Sequence, residues 1–293
     1  MNKRTKDLLA RYCVTNGAKF RLKDFDPGDT ANIGVSKAEA GELVAAGVKL
    51  LSEQQDKLYA QDRWSILCIF QAMDAAGKDG AIKNVFSGVN PQGCHVESFK
   101  APNGTELDHD YLWRHAVALP ARGMIGIHNR SWYEEVLVAR VHPTILAAQK
   151  LPPRLLSKKI WTERLEDIAA YERYLGRQGT VILKFFLHVG KDEQKKRFLQ
   201  RIDEPEKNWK FNAGDVAERA HWDDYQKAYE AAIRATATPE APWYVVPADN
   251  KWFTRLVVVG AIGGALEALD LHYPKVNDDE RRLLQEARKA LES

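Results

Sequence analysis

The apolar run Trp64-Ser65-Ile66-Leu67-Cys68-Ile69-Phe70-Gln71 constrains this chain more than any other stretch. It lacks polar alternation and stops at a glycine-containing turn, as a parallel strand buried on both faces does. Beyond the turn, Ala81-Ile82-Lys83-Asn84-Val85-Phe86 reads as a helix. The alternation recurs downstream: strands fit 95–99, 124–128, 180–188 and 243–246, and helices fit 106–118, 163–175, 192–201, 221–235 and 252–269. Such repetition predicts an α/β fold with a parallel sheet covered by helices on both faces. Upstream, the residues to about Pro27 read as an irregular arm, and 35–60 as a helix with Leu43, Val44, Val48, Leu51 and Leu58 at helical intervals. Pro274 ends the last packed element, and the charged run 278–292 reads as an amphipathic terminal helix.

With 293 residues, 45% of them hydrophobic, the chain can bury a full core as one enzyme-sized unit. No run approaches the ~20 apolar residues of a membrane span. Met1-Asn2-Lys3-Arg4-Thr5-Lys6-Asp7 lacks the apolar centre of a signal peptide, so a cytoplasmic location is expected. Cys13, Cys68 and Cys94 are far apart and odd in number, which indicates neither a disulfide framework nor a zinc site. A net charge of +3 is too small for a general nucleic-acid binder. Its distribution says more. Lys184, Lys191, Lys195, Lys196, Arg197, Arg201, Lys207 and Lys210 outnumber the acids among them, and that segment suits a polyanion.

The chemistry concentrates in Ala72-Met73-Asp74-Ala75-Ala76-Gly77-Lys78-Asp79-Gly80, between the first strand and its helix. A strand-to-helix turn aims backbone N–H groups and the positive end of the helix dipole at phosphate oxygens, and a lysine adds a mobile cation. Gly77 and Lys78 are in register with the general phosphate-loop pattern, whereas Ala72 replaces its first glycine and Asp79 its terminal Ser/Thr. A bare Gly-Lys pair is usually a plain turn with a solvated lysine. Asp74 and Asp79 argue against that reading here, because carboxylates belong in an anion-binding turn when magnesium sits between them and phosphate. Ala76, Gly77, Lys78, Asp79 and Gly80 are the expected phosphate-binding residues. A second signal, Gly126-Ile127-His128-Asn129-Arg130-Ser131-Trp132-Tyr133, closes a later strand. Ligands collect beside the carboxyl ends of parallel strands, so Asn129 and Arg130 are expected next to the turn, with Asn129 serving the metal directly or through water. Phosphate held in such a turn beside magnesium points to phosphoryl transfer, and Lys100, just after the second strand, is expected to contact the acceptor's phosphate. His109 and His128 are expected to be structural, since an anionic acceptor needs no strong base.

Together these residues resemble the polyphosphate kinase 2 family, whose phosphate turn has an Asp four residues before the Lys and whose later strand ends in Asp-Arg-Ser or Asn-Arg-Ser. The similarity runs from about Phe20 to about Leu269, through Ser87-Gly88-Val89-Asn90-Pro91-Gln92-Gly93, Asp203-Glu204-Pro205-Glu206-Lys207-Asn208-Trp209-Lys210 and Ala241-Pro242-Trp243-Tyr244-Val245-Val246-Pro247. The resemblance implies a P-loop-kinase-like three-layer sandwich with a helical lid at about 190–220. It divides the chain into an arm and helix over 1–60, a catalytic domain over 61–272 and a helical tail over 273–293. It implies reversible phosphoryl transfer from inorganic polyphosphate to AMP or ADP, with Mg2+, or Mn2+ in its place, and with nucleoside triphosphate as donor in reverse. By the same resemblance Asp74, Lys78 and Arg130 are catalytic, and Asp74 positions both metal and acceptor nucleotide. Asn129, expected to bind the nucleotide as well as to serve the metal, stands where many members carry Asp; this form resembles the class III branch, which accepts nucleoside mono- and diphosphates. A homo-oligomer, a tetramer of stacked dimers, is implied, with no membrane or nucleic-acid partner.

Arg197 and Arg201 lie four residues apart, hence on one helical face, and are candidates to hold successive polyphosphate units; the alternative is a solvated helix paired with its own acids. Two other functions stay open. An ATP-dependent kinase would share the turn and differ only in its donor. A nucleic-acid-binding module built on 184–210, with Trp209 and Phe211 as stacking groups, would make Asp74 dispensable, so Asp74→Ala separates it from a kinase.

Overall fold

The computed structural model describes residues 3–293, and Met1 and Asn2 of the expected arm lie outside them. Among the described residues six strands form one sheet: β1 (Cys13–Val14), β2 (Ser65–Ala72), β3 (Cys94–Ser98), β4 (Ile125–Asn129), β5 (Thr180–His188) and β6 (Trp243–Pro247), in the spatial order β1-β6-β5-β2-β4-β3. Neighbours are parallel except β1, which runs antiparallel to β6 with Cys13 opposite Tyr244. In the centre, β2 and β5 are buried on both faces. This is why their sequences show no alternation.

Helices cover the two faces. On one side Lys37–Gln61, Lys78–Val85 and Lys251–Ala268 close over Ile66, Cys68, Phe70, Ile125 and Ile127. On the other, Ile160–Arg177 and Trp222–Thr236 close over Leu67, Ile69, Ile182 and Phe186. The molecule is thus the expected three-layer α/β sandwich. Among the described residues no helix is long and apolar enough to cross a membrane.

Two expectations change. The amino-terminal segment is ordered: Lys3–Ala10 is a helix, and β1 extends the sheet, the Tyr12 carbonyl accepting from Val245 N at 2.8 Å. The segment 106–118 is two turns, Gly104–Leu107 and Trp113–Ala116, in place of one helix. Asn103 and Glu106 form a capping box that starts the first turn, and Asp110 Oδ1 accepts from Leu112 N at 2.9 Å. That local side-chain bond competes with the helical ladder and breaks it.

A buried ion pair anchors the chain after β4. Lys184, with 0% exposure, donates to Glu172 Oε2 at 2.5 Å, to the Thr236 carbonyl at 2.7 Å and to Tyr133 Oη at 3.3 Å. The other oxygen of Glu172 accepts from Tyr133 Oη and Trp132 Nε1. Burial pushes the Lys184 pKa down, and Glu172 opposes the shift. All three ammonium protons have acceptors, which is what makes so deep a charge tolerable. Lys184 therefore leaves the cationic segment proposed from the sequence; it faces the core and fixes Trp132 and Tyr133, next to Arg130.

Candidate active site

The carboxyl ends of β2, β3, β4 and β6 open onto a cleft of about 520 Å³. At its centre the chain leaves β2, bends through Ala75 (φ 60°) and Gly77 (φ 102°), and enters helix Lys78–Val85. Gly77 is needed for its backbone angle more than for space, because an added Cβ would meet nothing nearer than Arg197 Nη1 at 3.7 Å. The first ladder bond of the helix runs from Ala81 N to the Gly77 carbonyl at 2.9 Å. The N–H groups of Lys78, Asp79 and Gly80 therefore stand outside the ladder, at the positive end of the helix.

Lys78 is half-buried beside them. Burial, and then the charge of Arg130, push its ammonium below the ordinary lysine pKa, while Glu134, Asp74 and Asp79 oppose the shift. A bound phosphate would restore the cation. The alkaline limb of kcat/KM, which reports the free enzyme, is accordingly expected below the usual lysine value of about 10.4, with the limb of kcat at higher pH. Steady-state rates across pH 7 to 10.5, roughly the window below that value, check the order of the two limbs.

Arg130 follows β4 in a left-handed conformation (φ 69°), with its N–H bonded to the Phe70 carbonyl at 3.0 Å. A non-glycine residue rarely adopts this angle, and such strain gathers at functional positions. Its guanidinium lies 3.7 Å from Asp74 Oδ1 and 3.9 Å from Glu134 Oε2. Glu134, then Asp74 against the cost of burial, raise its pKa. Neither distance is that of a hydrogen bond, so the two carboxylates hold the arginine in place without consuming its donors. Next to it, Asn129 Nδ2 donates to Asp79 Oδ1 at 2.8 Å, joining the end of β4 to the first turn of the helix. An aspartate at 129 would set two carboxylates against each other there; the amide gives a bond.

Nine basic side chains line the cleft (Lys78, Lys100, Arg130, Arg197, Arg201, Lys207, Lys210, Lys251 and Arg255) against two carboxylates, Asp74 and Asp79. The structure brings Asp74, the turn 76–80, Lys100, Asn129, Arg130, Arg197 and Arg201 to this one place, whereas Lys191, Lys195 and Lys196 do not line the cleft, and it uses Arg197 in another way. That side chain is 5% exposed, and all five of its donors are engaged: Nε with Glu193, Nη1 with the carbonyls of Ala75 and Ala76, and Nη2 with those of Ala248 and Asp249. It is a strut between the phosphate turn and the loop after β6, in place of the outward cation read from the helical spacing. Gln194 on the same helix, Lys191–Asp203, adds a bond to the Asp74 carbonyl at 2.9 Å. Arg201 bonds Asp215 at 2.9 Å and the Lys210 carbonyl at 3.3 Å, and remains partly exposed.

Lys251 and Arg255 were missed. The signal was available, because both follow the carboxyl end of β6, the rule that located Asn129 and Arg130. Burial, then Arg197 and Lys207, lower the Lys251 pKa, as expected of a cation crowded by others. His128 is buried against the Ala118 carbonyl at 3.1 Å, its pKa pushed down to about 4 by burial, and His109 stacks on Trp113. Neither lines the cleft.

A parallel sheet whose central strand runs into an amide-and-lysine phosphate turn, with a strand-end arginine facing it, is the architecture of a phosphotransferase of the P-loop kinase type. Residues 35–274 match the family model for polyphosphate kinase 2, and the chain belongs to the polyphosphate kinase 2 family. The ADP-polyphosphate phosphotransferase of Rhodopseudomonas palustris is 52% identical over 257 residues, 87% of this chain and 89% of that one. The AMP/ADP-polyphosphate phosphotransferase of Meiothermus ruber is 44% identical over 278 residues, 95% of this chain and all (100%) of that one. The crystal structure of polyphosphate kinase 2 from Arthrobacter aurescens TC1 matches with a TM-score of 0.86 at 40% identity, covering 97% of this chain and 98% of that one.

Proposed function

We propose that this protein transfers a phosphoryl group from inorganic polyphosphate to ADP and to AMP, and runs in reverse from nucleoside triphosphate. The observation that carries the reading is the charge of the cleft: Lys207, Lys210, Lys251 and Arg255 continue the cationic lining beyond the turn. A single triphosphate needs only the turn, whereas a long polyanion needs a track. The names of the two relatives agree with this donor.

The donor set fits magnesium or manganese. Asp74, the second oxygen of Asp79 and Oδ1 of Asn129 are hard oxygens, and such ions are commonly held by one or two carboxylates together with substrate phosphates. When bound, the ion neutralises charge on the phosphate oxygens. The chain does the rest by placement. The amides of Lys78, Asp79 and Gly80 and the Lys78 ammonium hold the donor phosphates. Arg130 turns its unspent donors toward the migrating group, and Asp74 keeps that arginine and the acceptor phosphate aligned. Lys100 meets the acceptor from the rim. The attacking oxygen is already anionic, so in-line placement and charge stabilisation suffice. Residues 61–272 form the catalytic unit in this reading, with 190–220 as a lid whose root, at Gln194 and Arg197, is bonded to the turn.

The test is nucleotide analysis after incubating the purified protein with magnesium and polyphosphate, with AMP or ADP as sole acceptor and no added ATP. Product from both acceptors is expected. Product from ADP alone would keep the donor and overturn the broad acceptor range; activity only with ATP as donor would overturn the polyphosphate reading.

A further inference from the structure

Gln71 lies on β2, three residues before Asp74, and is fully buried on the sheet face that carries Leu67 and Ile69. Its Nε2 donates to Glu134 Oε1 at 2.8 Å. The other oxygen of Glu134 faces Arg130 Nη1 at 3.9 Å. Glu134 belongs to the turn 132–135 after β4, in which Trp132 and Tyr133 are bonded to Glu172 of the buried ion pair. That network fixes the backbone here and leaves the Glu134 carboxylate to be set by its own partners. Among the described residues its hydrogen-bond donor is Gln71.

The arrangement has a cost that packing alone would not incur. A carboxylate only accepts, so the amide must turn Nε2 toward Glu134. Gln71 Oε1 is then left buried with no hydrogen-bond partner. A polar atom orphaned at such depth is unfavourable, and a methionine of similar shape would avoid it. Neither Gln71 nor Glu134 lines the cleft. Local costs of this kind are retained where function needs them, and the functional group within reach of the pair is Arg130.

We propose that Gln71 is a positioning residue for phosphoryl transfer: its amide holds the Glu134 carboxylate where it orients Arg130 without binding the guanidinium hydrogens. Without that donor the carboxylate is free to close the gap of 3.9 Å and pair with the guanidinium, whose donors are then spent before the migrating group arrives. The inference rests on the proposed role of Arg130 and adds to it a residue outside the cleft.

The experiment combines Gln71→Met, Gln71→Glu and Arg130→Ala. kcat and KM are measured with the donor that the parent protein accepts, and melting temperature checks folding. Gln71→Met is expected to lower kcat about tenfold, with both KM values within about threefold of the parent. In the Arg130→Ala background the same change is expected to cost less than about twofold, because no guanidinium is left to misplace. Gln71→Glu supplies a pH signature. Two carboxyl groups so close share one proton, and their repulsion holds it above the ordinary carboxylate value of about 4.3. Arg130 and Lys78 oppose that rise, Asp74 and Glu135 add to it, and Tyr225 and Tyr229 face the pair as neutral phenols. While the proton stays, the introduced carboxyl donates to Glu134 as the amide does; as pH rises and it leaves, the pair repels. The kcat of this variant relative to the parent is therefore expected to fall about tenfold between roughly pH 5 and 8.5. A folded Gln71→Met protein with kcat within about twofold of the parent, or a loss undiminished in the Arg130→Ala background, would overturn the assignment. So would a Gln71→Glu loss that does not change with pH, and that variant decides if Gln71→Met fails to fold. Intact turnover in Arg130→Ala alone would overturn the reading of Arg130, whereas its expected loss beside an unaffected Gln71→Met would overturn this inference only.

Discussion

Replacing Arg130 with alanine is expected to lower kcat about 10³-fold while the KM values for polyphosphate and ADP change by less than about fivefold. Asp74 and Glu134 flank the guanidinium at 3.7 and 3.9 Å, close enough to orient it and too far to bind its hydrogens. The side chain is 42% exposed, toward the cleft. Its donors are thus held ready for a partner that appears only as charge moves onto the migrating phosphoryl group. An interaction made chiefly in the transition state affects kcat far more than ground-state binding. Arg130→Lys keeps a charge but loses the planar fork, and is expected to recover no more than about tenfold of the loss. Steady-state kinetics with each substrate varied in turn are the check; a loss confined to KM would show that Arg130 binds ground-state phosphate and does not act on the reacting group.

The second large effect belongs to Arg197, and its signature differs. Arg197→Ala is expected to destabilise the fold by about 3 kcal/mol and to lower turnover about 10²-fold. Four carbonyls and Glu193 lose their donors at once, and two of those carbonyls, on Ala75 and Ala76, belong to the phosphate turn. A turn displaced by an ångström no longer presents its amides in line. Lysine has three donors on one atom and cannot span the turn and the loop after β6, so Arg197→Lys is expected to fail in the same way. Urea unfolding separates this role from direct phosphate binding. Were Arg197 only a ligand, its removal would relieve crowding among nearby cations, and stability would hold or rise.

These two arginines also mark how far the sequence could be read. Arg130 was legible because its position follows from a local rule, the polar residue at the carboxyl end of a buried strand. Arg197 was placed correctly on its helix, but its role depends on carbonyls 121 and 122 positions away along the chain, which no local pattern encodes. Lys184 misled for a related reason. It was grouped with the cations from Lys191 onward although it sits within the apolar strand 180–188, and its partner Glu172 lies on another element, so only the assembled core shows that the charge points inward. The central strands were clear because burial on both faces leaves an unbroken apolar run. By contrast, β1 is two residues long and exists only by pairing with β6, so no periodicity could announce it. The break at Asp110 turned on one side-chain bond competing with a helix of otherwise adequate propensity.

The unequal charge of the cleft has a thermodynamic side. Like charges held close together in the unliganded protein repel, and folding must overcome that repulsion. A polyanion that binds only the folded state relieves it, adding about 2.7 kcal/mol when present at a hundred times its dissociation constant. The endurance of the fold is thereby coupled to the supply of its own fuel: as the polymer is exhausted, the protein loses its counter-charge, and the population open to proteolysis grows.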